Sequence, residues 1–122
     1  MTKQPTLVAY IRTGAYVRLF NQILVDTIVN VGRVFPQKET ARLVAFEQNI
    51  VVPFKDMAEK RMLKDYPDAK HEQLKHVFYG TPYTPPRDDV DLEVQGIIID
   101  VLEKMLDKAK AARELALNGR HR

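Results

Sequence analysis

At 122 residues the chain is long enough for one domain with a real core and too short for two comfortable ones. Its 45% apolar and 29% charged residues are globular proportions that exclude a disordered chain, and no apolar run approaches the roughly 20 residues of a membrane span. The absence of cysteine excludes disulfides and thiolate metal sites, while the net charge of +3 is modest and unevenly laid out. An acidic segment (Asp88, Asp89, Asp91, Glu93, Asp100 and Glu103, against Arg87) lies between two basic ends. Such a layout suits electrostatic pairing with a partner or with another copy of the chain.

Arg12 interrupts the apolar run "TLVAYI", so the first residues do not read as a signal peptide, and a cytoplasmic protein is expected. The first predicted element is an internal helix over 6–34. Arg18, Gln22, Asp26, Asn30 and Arg33 recur at spacings of four, four, four and three, which draws one polar stripe along a helix. Val17, Phe20, Leu24, Ile28 and Val31 fall on the other side, an apolar arc wide enough to predict a largely buried helix. The β-branched residues of 23–34 admit a strand, but the polar stripe favours the helix.

Helical periodicity resumes after Pro36 and predicts middle helices over 37–79, broken near Pro53 and Pro67. Ala41, Val44 and Val51 share one side, and Phe54, Met57, Ala58 and Met62 are spaced to face a core. Pro53 lacks the amide hydrogen and disfavours helix at Val52, so a kink or restart is expected there. Pro67 suits a first helical turn, from which a short helix is expected to run through "DAKHEQLKHVF" to Gly80. Within it, "HEQLKH" resembles a zinc-binding helix only superficially. Its histidines, His71 and His76, are five apart, whereas two ligands on one helical face need a separation of four. No metal or other cofactor is expected.

Residues 80–87 form a tyrosine- and proline-rich connector. Pro82, Pro85 and Arg87 match a proline-rich ligand pattern, and Tyr79 and Tyr83 suggest base stacking, but the acids downstream oppose phosphates. A stiff connector, with its tyrosine rings covering neighbouring helix ends, is the simpler reading. Asp88 or Asp89 then caps a long C-terminal helix over 88–118, with its acids opposing the helix dipole. Gly119 serves as the stop, and 119–122 is a basic tail that includes His121. Along this helix Ile98, Leu102, Met105, Ala109, Ala112 and Ala116 make a heptad-like seam.

The predicted architecture is therefore all-α, a single domain of four or five helices with a long C-terminal helix. Nucleophilic catalysis needs an activated Ser, Cys or Thr, and the chain has no serine, no cysteine and no motif beside its threonines. The expected function is a non-enzymatic interaction protein that self-associates and regulates or scaffolds a macromolecular partner. Ile98, Leu102, Met105 and Ala109 are its candidate contact residues. The alternative is nucleic-acid binding, with Lys104, Lys108, Lys110, Arg113, Arg120 and Arg122 meeting phosphates. Glu103, Asp107 and Glu114 dilute that basic surface.

Overall fold

The computed structural model describes residues 4–69 and 71–120, and among them every regular element is helical. Helix α1 spans Leu7–Val34. Thr6 caps it, its hydroxyl accepting from the Ala9 amide at 3.1 Å. The helix ends at Phe35, whose extended backbone (φ −112°, ψ 159°) is what the ring of the following Pro36 imposes.

Helix α2 (Gln37–Phe46) passes through a π-helical turn (Glu47–Val51) into α3 (Val52–Asp65). The expected break at Pro53 is thus a local widening and not a chain restart. An α-helical proline collides with the carbonyl four residues back. Here the turn is loosened just before it, the Val52 amide reaching back to the Glu47 carbonyl.

The helix expected from Pro67 to Gly80 shrinks to a single turn, α4 (His71–Leu74). Beyond it the chain tightens into three-residue turns, with Val77 donating to Leu74 at 3.2 Å and Tyr79 to His76 at 3.0 Å. The physical reason is tertiary. Arg18 donates to the carbonyls of His76 and Val77, which a continued helix would have used internally. Gly80, at φ +136°, turns the chain away in a conformation that side-chain-bearing residues avoid.

Helix α5 (Asp89–Arg120) completes the fold. Asp88 is its cap, accepting from the Asp91 amide at 2.8 Å. Gly119 does not stop it: the helix passes through that residue to Arg120, and the rest of the tail (His121 and Arg122) lies outside the described residues.

The core is built where the first half of α1, the end of α3, α4 with its following turn, and the first half of α5 meet. Met62, Leu74, Val77, Phe78 and Val94 are its largest fully enclosed apolar side chains. Gly14 allows the turn after α4 to lie directly on α1, since a Cβ there would sit 2.6 Å from the Val77 carbonyl oxygen.

This core is short compared with the helices around it. At 1.5 Å per residue α1 extends about 42 Å and α5 about 48 Å. The expectation that α1 is largely buried therefore holds only for its first half, from Tyr10 to Leu19. Past Leu19 it packs on α2, and Phe20 is half exposed. Phe54 and Met57 also stay half exposed, while Ala58 and Met62 enter the core. No described helix is long and apolar enough to cross a membrane.

Candidate interaction surface

The direction in which α5 leaves the body is set by a buried ionic node. Arg18, one turn past Gly14 on α1, is 2% exposed and does not belong to the solvent-facing stripe its spacing suggested. Its guanidinium lies 2.6 Å from the Asp91 carboxylate, which is 1% exposed and 73 residues away in sequence. Arg87 closes the other side, its Nε donating to the second carboxylate oxygen at 2.5 Å and its backbone amide to the same oxygen at 3.1 Å. A further donation from Arg87 to the Tyr79 carbonyl, at 2.7 Å, ties in the connector.

Burial pushes the Asp91 carboxyl upward, but the hydrogen bonds from Arg87 and Arg18 outweigh it and hold the group at about 2, below its ordinary 3.8. Asp91 thus remains ionised, and α5 is locked at its third residue onto both α1 and the connector. The connector is braced further by Thr81 and Thr84, which are hydrogen-bonded to each other. Tyr79 packs against the core, while Tyr83, expected to cover a helix end, is 75% exposed.

From this anchor α5 runs past the edge of the body. Ile98 is buried in the core, so the expected contact seam reaches the surface only at Leu102. Leu102, Met105 and Ala109 are exposed, as is every residue from 102 to 120. That overhang carries Leu106, Leu115 and Leu117 as well. Lys104, Lys108, Lys110, Arg113 and Arg120 are exposed on the same segment, and Arg122 lies outside the described residues. At about 100° per residue Lys104 and Lys108 fall on one flank and Lys110 and Arg113 on the other, so they make no single basic face. Lys104 is engaged by Asp100 at 3.1 Å.

A second apolar surface, not foreseen from periodicity, lies between α1 and the α2–α3 rod. Tyr16, Phe20, Phe46, Ile50 and Phe54, with Thr13 among them, line an open and largely apolar groove of about 320 Å³. The signal for it was present in "YVRLF", where apolar residues stand on more sides of the helix than one core can cover. The Arg18 node carried a weaker signal. Its neighbours one helical turn away, Gly14 and Gln22, hold no acid, so its partner had to come from elsewhere in the chain.

Among the described residues no three acidic or histidine side chains converge in a manner that would hold a metal ion. His76 follows α4 in the tight turn, and the side chain of His71 lies outside the described residues. The surfaces available are thus an apolar groove and a protruding amphipathic helix, which suit contact with other macromolecules. Comparison of the chain with family models, with curated proteins and with solved structures finds no match.

Proposed function

We propose that this protein is a non-enzymatic helical interaction module that self-associates through α5 and scaffolds or regulates a macromolecular partner. The observation that carries the reading is the overhang: residues 102–120 of α5 are all exposed, although Leu102, Met105, Leu106, Leu115 and Leu117 lie along it. An isolated helix of this length is marginal in water, because most helical stability comes from packing an apolar face. A second chain supplies that packing, and each large apolar side chain it covers contributes about 1.5–3 kcal/mol. The apolar groove remains open on the body for the macromolecular partner. In this reading the protein works in the cytoplasm, in keeping with a chain that has no cysteine to oxidise.

Sedimentation of the purified full chain tests the proposal. An assembly is expected at tens of micromolar, and replacing Leu102 and Met105 by lysine is expected to give monomers that keep their core and lose helical circular dichroism only from the unpaired overhang, since both side chains lie outside the core. A wild-type monomer at that concentration would sink the reading. The nucleic-acid alternative is tested alongside by fluorescence polarisation with generic duplex and single strands. No binding is expected at about 150 mM salt, where the attraction of exposed charges is largely screened. Tight binding there, weakened by neutralising Lys108, Lys110 and Arg113, would put that alternative first.

A further inference from the structure

We infer that two copies pair through α5 in the antiparallel sense, with Leu92 over the partner copy's Ala116 and Ile99 over its Ala109. The inference rests on the proposal that α5 self-associates, and adds the face, the orientation and the register.

The face follows from exposure. Leu92, Ile99, Leu102 and Leu106 are between 40% and 60% exposed. With Ala109 and Ala116 they follow the three-and-four spacing of a helix-pairing stripe. Leu92 and Ile99 each come one residue after a core side chain, Asp91 and Ile98, and so lie about 100° around the helix from it. The large apolar residues of the stripe are therefore exposed even where the other side of the helix is packed on the body, with Gln95 between them partly buried. It shares Leu102, Ala109 and Ala116 with the seam expected from the sequence, with Leu92, Ile99 and Leu106 in place of Ile98 and Met105.

The orientation follows from size and charge. Large residues occupy the first half of the stripe and alanines the second. A parallel pair would set leucine on leucine at one end and alanine on alanine at the other, which demands two different interhelical distances. An antiparallel pair centred near residue 104 sets Leu92 on Ala116, Ile99 on Ala109 and Leu102 on Leu106. Each alanine then faces a large residue, and no layer sets alanine on alanine.

Charge points the same way. Residues 89–103 carry Asp89, Glu93, Asp100 and Glu103 besides the buried, paired Asp91 and no base, and residues 104–120 carry five bases against Asp107 and Glu114. Only the antiparallel sense brings the acidic half over the basic half, and such complementarity fixes orientation and register. The two-fold pairing is closed, and each overhang comes to rest beside the other copy's anchored half.

The chain has no cysteine, so engineered thiols report the register without background. Gln95 and Arg113 face one another across the proposed pair. Full-length Gln95→Cys and Arg113→Cys proteins, one carrying a size tag, are mixed and oxidised. The mixed disulfide is expected in about tenfold excess over either homodimer, because a disulfide needs Cα atoms within roughly 7 Å. Homodimers from each variant alone, or no preference in the mixture, would overturn the antiparallel register while leaving self-association standing. A wild-type monomer in sedimentation would overturn both. A second measurement needs no variant: the dissociation constant of the wild-type pair should rise with salt. A fall with salt, as expected when like charges face each other, would overturn the orientation.

Discussion

Replacing Asp91 by alanine tests the node that anchors α5. Arg18 would be left with its charge in a site where its side chain is 3% exposed. Breaking a buried pair by removing one partner costs about 3–5 kcal/mol. At about 0.05–0.15 kcal/mol per residue, a chain of this length has about 6–18 kcal/mol of stability, so the loss is a large share of the whole. The carboxylate's contribution carries its own pH signature. Its folded value of about 2 lies below the ordinary 3.8, a gap equivalent to about 2.5 kcal/mol. Because the folded value is the lower one, this stability is fully present above the unfolded value and is lost as pH falls through about 2.

Urea denaturation followed by circular dichroism, from neutral pH down to pH 2, reads both quantities. The alanine variant should be less stable by about 3–5 kcal/mol at neutral pH, and the gap should narrow by about 2 kcal/mol by pH 2. Combining Arg18→Met with Asp91→Leu should recover most of the loss, since neither buried charge then lacks a partner. Recovery stays incomplete because the Val77 carbonyl loses its donor and Arg87 loses its carboxylate. A deficit below about 1 kcal/mol, a gap that does not change with pH, or a double variant no better than the single would refute the reasoning.

Two glycines should respond to alanine in opposite directions. Gly14→Ala places a Cβ 2.4 Å from Val77 Cγ1 and should destabilise by at least about 1–3 kcal/mol, whereas Gly96→Ala meets nothing within 4 Å and should stabilise by about 0.5–1 kcal/mol. Urea midpoints at matched concentration check both. Gly80→Ala should cost about 1–3 kcal/mol in the same assay, because φ is +136° there and the new methyl would approach the Arg18 and Arg87 guanidinium groups at 3.3 Å. An unchanged midpoint for Gly80→Ala would show that the turn relaxes to another conformation.

Helix existence, class and most boundaries were legible in the residues because their causes are local. Thr6 caps the first helix, Pro36 ends it and Asp88 caps the last, each acting within one turn of the chain. The long C-terminal helix was likewise legible from periodicity. Pro53 announced a disturbance, but its form depended on continuity with α3, which one turn of wider helix preserves at less cost than a restart. The helix expected up to Gly80 gives way to tight turns where Arg18, 59 residues earlier in the chain, takes the Val77 carbonyl.

What periodicity determined, then, was which residues are helical and which helix faces are apolar. What it left open was which apolar faces find cover, since that depends on where the helices cross. Phe20, Phe54 and Met57 carry the same pattern as Ala15, Ala58 and Met62, yet only the second group lies where α1, α3 and α5 converge. Arg18 and Asp91 likewise look like ordinary surface charges on their own helices. They become a buried pair only because the packing of α1 on α5 brings them to 2.6 Å, a contact between residues 73 positions apart that no local pattern encodes.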